Sequence, residues 1–372
     1  MNHYLTSVGT SLLTNGAGDL LPLLRDTANL RENELNATQR TAIDGRIDTV
    51  RQELSRAELP RKRRMSAELN GMHGLLGPSL KGGSGDLHFL IGTDTYQGRA
   101  AVDLVAEMIR QDGAEPQIEI IPGFSTRNQQ VFEAGIRELI RFCDSTFKHC
   151  RESGDTVYFN LVGSFKALQG YLNTIGMFYA DEIVYIFEGE GAELVRIPRL
   201  PITLDLSWVE QHRALFAMLA TGEHTEPEEV FQGWPEALWE RAGQGRGWLS
   251  TWGLLLWQNA EESILNERLL DLPRIEYSDK FKRDFDDRRG NRKERIQLQQ
   301  ALARVAVLLE KSGGDTAPAK VDSSLQYDNY TGKHAGVGHF RTNNDGWRAT
   351  CDSVSGRLRM RRFGDHTINT TP

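Results

Sequence analysis

What most constrains this chain is a plan repeated between residues 87 and 198. A short β-prone apolar run is followed by a turn of small residues and then by a segment of helical period. "LHFLIGTD" precedes "YQGRAAVDLVAEMIRQ", whose Ala101, Val105, Met108 and Ile109 fall on one face. "IEIIPGF" precedes "NQQVFEAGIRELIRFC", which brings Phe132, Ile136, Leu139, Ile140 and Cys143 together. "TVYFNLV" runs through Gly163 into "SFKALQGYLNTIGMFYA", and "EIVYIFEG" and "GEGAELVRIP" supply further strands. Near the N-terminus, "HYLTSV" is one more apolar run. Strands alternating with helices predict an α/β fold with a mostly parallel sheet covered on both faces.

Three regions follow from composition and period. Residues 1–203 carry the α/β pattern, interrupted at about 16–85 by a helical insertion with a basic knot, "RKRR", and a mobile tip, "KGGSG". Residues 204–272 are expected to be a helical link, and they hold six of the seven tryptophans. Basic residues are sparse among those rings, with only Arg213, Arg241 and Arg246 between the first and the last, so core and dimer packing is their expected role rather than base stacking. Residues 273–372 predict a short strand, two helices and an antiparallel meander. This last region has 19 Lys and Arg against 13 Asp and Glu, a net of +6, so the rest of the chain carries −13 of the overall −7. A basic module on an acidic body puts polyanion handling at the C-terminal end.

With 372 residues, 39% apolar and 26% charged, the composition is that of a globular multidomain protein. No apolar run is long enough for a bilayer span and the N-terminus lacks a signal-peptide pattern, so the expectation is no membrane and a cytoplasmic location. Cys143, Cys150 and Cys351 make an odd set without metal-ligand spacing. Free thiols, no metal and no resident cofactor are therefore expected.

Three small-residue turns fall at strand ends: "VGTSLLTN", "IGTDTYQG" and "LVGSFKAL". In open α/β sheets ligands sit outside the carboxyl ends of the strands, where backbone N–H groups favour an anion. The Walker and G-x-G-x-x-G spacings are both absent. The pair "SVGTSLLTN" and "NLVGSFKALQGYLNTIGMFYADEIVYIFEG" resembles the two signature segments of CARF domains, the Rossmann-like nucleotide sensors of CRISPR-associated proteins. The resemblance covers roughly Asn2 to Leu200 outside the insertion. It implies a homodimer that binds a cyclic oligoadenylate activator across its two-fold axis, with a cyclic tetra-adenylate favoured over a hexa-adenylate. Gly9, Thr10, Ser11 and Asn15 would line the first loop, and Gly163, Ser164, Phe165 and Lys166 the second. Thr93 and Asp94 follow by position.

In the tail, Arg348 sits on one expected strand and Arg357, Arg359 and Arg361 alternate along the next, so the latter three share a face. His339 and Arg341 lie on the preceding strand, and His366 follows the last. Metal-free RNA scission needs a group to take the 2′-OH proton, cations at the crowded phosphate and a proton for the leaving oxygen. The segment from Pro273 to Asn369 resembles the α+β RelE toxin family of ribosome-dependent mRNA interferases. "PRIEYSDKFKRDF" resembles its opening strand and helix, "GWRATCD" its arginine-bearing strand and "LRMRRFGDH" its closing strand. The resemblance implies Arg348 at the phosphate and His366 in proton transfer, with Arg359 and Arg361 adding charge and His339 and Arg341 in lesser roles. A tyrosine common after the closing histidine is replaced here by Thr367 and Ile368.

Arg361 to His366 also fits the R-x-x-x-x-H of helical HEPN ribonucleases, the runner-up, although the run has strand period. The expectation is an endoribonuclease of type III CRISPR antiviral defence that acts on ribosome-bound mRNA and so blocks translation. The insertion or link is a candidate dock for a ribosomal protein. A ligand-sensing transcription regulator is the non-enzymatic alternative.

Overall fold

The computed structural model describes residues 1–124, 128–163, 166–186, 193–288, 291–343, 346–365 and 367–368. The chain divides into two compact units, Met1–Thr203 and Leu204–Pro372. No helix among the described residues is long and apolar enough to cross a membrane.

The first unit is built on six strands: β1 (Asn2–Ser7), β2 (Leu87–Thr93), β3 (Gln117–Ile121), β4 (Thr156–Asn160), β5 (Glu182–Ile186) and β6 (Leu194–Pro198). Their order is β3-β2-β1-β4-β5-β6, parallel except for β6, which runs antiparallel to β5. Leu5 of β1 lies opposite Phe89 on one side and Phe159 on the other. His3 to Ser7 are all buried because both faces of the sheet are covered, which is why the strand reads as a continuous run. The chain leaves β1 toward β2 and β3 and returns on the opposite side as β4. The switch point therefore lies between the carboxyl ends of β1 and β4.

Among the described residues, eight α-helices accompany the sheet: α1 (Ser11–Thr14), α2 (Leu21–Asp26), α3 (Ala37–Arg56), α4 (Leu59–Met65), α5 (Ala67–Leu76), α6 (Tyr96–Gln111), α7 (Gln129–Phe147) and α8 (Lys166–Tyr179). Asn36 opens α3 with a capping box closed by Gln39. Ser66 caps α5 and Thr95 caps α6. The insertion is helical, but its apolar positions are used inside the unit. Val50, Leu54, Met65, Leu69 and Met72 share one core with Leu12, Leu13 and the buried face of α6. Elsewhere in the unit, the Phe147 ring meets Phe89 and Phe159 edge-on at 5.2 and 5.8 Å.

The second unit begins with α9 (Ser207–Gln211) and α10 (Arg213–Leu219). A small sheet follows, of β7 (Glu226–Pro227), β8 (Trp239–Gly243) and β9 (Arg246–Leu249) in the order β7-β9-β8, and then α11 (Thr251–Glu267). Region 204–272 is thus not purely helical. Gly243, Gln244 and Gly245 take φ of 89°, 54° and 70°, the left-handed turn that lets β8 fold back on β9. β10 (Ile275–Tyr277), α12 (Asp279–Asp286), α13 (Arg292–Lys311) and α14 (Ala317–Val321) lead into β11 (Asp328–Asn329), β12 (Val337–Arg341), β13 (Arg348–Val354) and β14 (Arg357–Gly364). The order is β10-β14-β13-β12-β11, with β10 parallel to β14 and the remaining pairs antiparallel. One core runs through the unit, joining Phe216, Trp234 and Trp257 to Phe281, Leu302, Phe340, Met360 and Phe363. Trp234 stacks on Phe216 at 5.1 Å, so this tryptophan is core.

Two glycines of the insertion should respond oppositely to alanine. A Cβ on Gly71 of α5 would lie 2.1 Å from Asn160 Oδ1 and 2.7 Å from Val162, whereas one on Gly45 of α3 meets nothing within 4 Å. Gly71→Ala is expected to cost about 1–3 kcal/mol through overpacking. Gly45→Ala is expected to add roughly 0.5–1 kcal/mol, because glycine in an exposed helix interior is unfavourable. Urea denaturation of both variants checks this. Equal shifts would contradict the close seating of α5 on β4.

Candidate functional site

The two small-residue loops do meet. Ser7 ends β1, and its hydroxyl donates to the carbonyl oxygen of Gly163 beyond β4 at 2.5 Å. An anion also sits between them, and it is the chain's own. Glu68, in the first turn of α5, is fully buried. Its carboxylate accepts from the Gly9 N–H at 2.8 Å, the Ser11 hydroxyl at 2.5 Å and the Ser66 hydroxyl at 2.6 Å. Asn160 donates its amide to the Glu68 carbonyl at 3.1 Å. Only glycine fits at 163, where a Cβ would lie 2.0 Å from the Glu68 carboxylate. The donors expected for a ligand at Gly9 and Ser11 are therefore already engaged.

The other expected ligand residues fall into two groups. Asn15 is tied into the unit: its amide donates to the Met65 carbonyl at 3.2 Å, and its own carbonyl accepts from Arg46 at 2.6 Å. Thr93 pairs with the Thr95 hydroxyl at 2.9 Å. Asp94 accepts from Arg31 at 2.6 Å on the wall of a cleft of about 1010 Å³ that also takes in Arg40, Arg51 and Arg99. Thr10, half-buried, and Lys166, exposed at the start of α8, remain on the rim of the crevice. Ser164 and Phe165 lie outside the described residues.

In the second unit the bonded strands sort side chains by face. Phe340, Ala349, Cys351, Leu358, Met360 and Phe363 enter the core. Alternation sends His339, Arg341, Arg348, Thr350, Arg357 and Arg359 to the opposite face. Arg341 pairs directly with Arg348, and His339 with Thr350. Two arginines brought opposite each other make a strong local positive field. They share a cleft of about 520 Å³ with His339, Lys320 and Asp328. A bulge between Thr350 and Cys351 interrupts the period of β14. Arg361 stays on the face of Arg357 and Arg359 and pairs with Asp352 at 2.9 Å, while Arg362 pairs with Asp284 at 2.7 Å. Arg357 meets Glu276 at 3.2 Å, whereas Arg359 has no acidic partner among the described residues. His366 lies outside the described residues.

Tyr330 joins this cluster although no strand pattern pointed to it. Its ring sits 4.3 Å from that of His339, and its side chain feels the charge of Arg348. Burial raises the tyrosine pKa, and the charge of Arg348 works against that rise. Burial, then the charge of Arg348, pushes His339 below the ordinary imidazole value while Asp328 opposes them, so its ring is neutral at pH 7. His339 Nδ1, Arg348 Nε and Thr350 Oγ1 are buried without hydrogen-bond partners. Three such atoms at neighbouring strand positions are costly unless something binds there.

Removing the internal anion should show its structural weight. Glu68→Ala strands the Gly9 N–H and two serine hydroxyls, at about 1–3 kcal/mol for each group left unpaired. Glu68→Gln keeps an acceptor for Gly9 and lets the serines turn to accept, so it should melt nearer the wild type. Thermal unfolding of the three proteins tests the order. An alanine variant as stable as the glutamine one would contradict it.

With both sites described, one comparison bears on the chain. Residues 63–200 match the model of a family described as CRISPR-associated protein (Cas_APE2256). The match begins at the end of α4 and takes in Glu68, the β4 side of the switch point and the strands β2 to β6, whereas β1 and its loop lie outside it. It connects this part of the chain with CRISPR-associated proteins.

Proposed function

We propose that the chain is a ligand-activated endoribonuclease of CRISPR antiviral defence. Its first unit, read as a CARF-type sensor, binds a cyclic oligoadenylate, a tetra-adenylate in preference to a hexa-adenylate, across the axis of a homodimer. Its second unit, read as RelE-like, cuts mRNA on the ribosome and so stops translation. The observation that carries this is the meeting of His339, Arg341 and Arg348 in one cleft, with the Tyr330 ring against His339, where buried polar atoms of His339, Arg348 and the neighbouring Thr350 lack partners. The family match and the switch-point geometry support the sensing half.

The chemistry needs no metal. Arg348 and Arg341 hold the scissile phosphate and stabilise charge as its five-coordinate state forms. His339, neutral at pH 7, takes the 2′-OH proton as the 2′-oxygen bonds to phosphorus. The bond from phosphorus to the 5′-oxygen breaks, and a proton from Tyr330 or His366 satisfies the leaving oxygen. The products are a 2′,3′-cyclic phosphate and a 5′-hydroxyl end. Arg359 adds charge for the flanking backbone. In the sensor, Glu68 holds the donors at the floor of the crevice, so the ring contacts the rim at Thr10 and Lys166 of both copies. Activation requires that the ring bind the active arrangement more tightly than the resting one.

Neither alternative gains support. Arg361 lies in β14, not in a helix as the HEPN motif requires. In the link, the segment between β7 and β8 forms two short 3-10 turns that carry Glu228, Glu229 and Glu236. Acidic side chains there repel a phosphate backbone.

The test is mRNA cleavage by the purified chain in a translating extract, with and without cyclic tetra-adenylate. Cleavage should depend on the ring, and Arg348→Ala should slow it by about 10²–10³-fold. Equal rates with and without the ring would remove the switch. Full activity in Arg348→Ala would remove the catalytic centre, and equal cutting of naked RNA would remove the ribosome.

A further inference from the structure

At the end of the sheet opposite the crevice, three unlike donors converge. We propose that His3, Cys150 and Asp155 form a binding site for a divalent transition metal, with zinc the best fit. His3 lies near the start of β1, and Cys150 and Asp155 flank the turn between α7 and β4. His3 Nε2 is 3.2 Å from Asp155 Oδ2 and 3.7 Å from Cys150 Sγ, and all three atoms lie within 4.8 Å of one another. Tetrahedral zinc, with bonds of about 2.0–2.1 Å to nitrogen and oxygen and about 2.3 Å to sulfur, sets N···O near 3.3 Å and N···S near 3.6 Å. The two distances from His3 thus stand close to the required spacing before any ion arrives, and the third pair lies within 4.8 Å. His3 and Cys150 are buried, while the Asp155 side chain is 17% exposed, which gives an entry and a fourth position for water.

The obvious rival is a Cys-His-Asp relay, and the geometry rejects it. A relay places its carboxylate on the ring nitrogen remote from the thiol. Here Cys150 and Asp155 face the same nitrogen, and His3 Nδ1 is buried with no partner. Three donors aimed at one point suit an ion. The mixed sulfur, nitrogen and oxygen set excludes magnesium and calcium in favour of zinc-like metals. The ring is held for the task by Phe89, stacked at 6.1 Å, and by the edge of Phe147 at 6.2 Å. On binding, the Cys150 thiol, which contacts the Thr146 carbonyl at 3.4 Å, gives up that contact and releases its proton to water as the metal–sulfur bond forms. Asp155 Oδ1 keeps the Met1 amino group at 3.0 Å. With no acceptor at Nδ1, affinity should be about 10–100-fold below that of a fully supported site. No metal was expected from the sequence, because ligands at positions 3, 150 and 155 have no motif spacing. Only the pairing of β1 with β4 unites them.

The test is titration of the metal-free full chain with cobalt(II), followed by absorption. One equivalent should give the visible bands of a tetrahedral ion and a near-ultraviolet thiolate band. Cys150→Ser should abolish the thiolate band and Cys351→Ser should keep it. Asp155→Asn, which preserves shape, should weaken binding. Zinc should displace cobalt and raise the melting temperature of wild type but not of Cys150→Ser. An octahedral spectrum in the wild type, or an unchanged thiolate band in Cys150→Ser, would overturn the proposal. Neither readout depends on nucleotide binding or RNA cleavage.

Discussion

The first unit depends on a buried carboxylate at the place where its sheet changes direction. A parallel sheet that switches between β1 and β4 leaves backbone N–H groups and hydroxyls at the two carboxyl ends facing one gap. Glu68 fills that gap and accepts from Gly9 and Ser11 after β1, with Ser66 at the cap of its own helix as the third donor. An isolated charge would be expensive so far from water, and three donors make it tenable. Its position in turn fixes α5. The helix can come close enough only because residues 71 and 163 are glycines. The insertion, the first loop and the second loop are thereby one packed object rather than a sensor with an arm attached.

The second unit settles its charge differently. Its arginines are sorted by strand geometry into those held by acids and those left for a ligand. Asp352, Asp284 and Glu276 take Arg361, Arg362 and Arg357. Arg341 and Arg348 instead face each other across β12 and β13, in a cleft with a neutral histidine whose ring lies against Tyr330. Like charges held opposite are destabilising. Such a pair is retained where an anion relieves it, which is the physical core of the case for a phosphate here.

Much of this architecture was legible in the sequence. β2 and β4 announce themselves as near-continuous apolar runs because both sheet faces are covered, and α6 and α7 keep a clean helical period. The shared face of Arg357, Arg359 and Arg361 follows from period two, but the bulge opposite Thr350 and Cys351, and the ion pair that ties Arg361 to Asp352, leave no mark in the pattern. The β8–β9 hairpin did carry a signal, the glycines around Gln244, which the tryptophan-rich helical pattern outweighed. Glu68 and Tyr330 were out of reach for another reason. Each acts through partners distant in sequence, and a glutamate near a helix start looks like any favourable dipole partner.

Calorimetry of the full chain with cyclic tetra-adenylate tests the central claim most directly. A symmetric ring seated where two copies of the β1–β4 crevice meet predicts saturation at one ring for every two chains. Absence of heat with both the tetra- and hexa-adenylate rings, or saturation at one ring per chain, would contradict it.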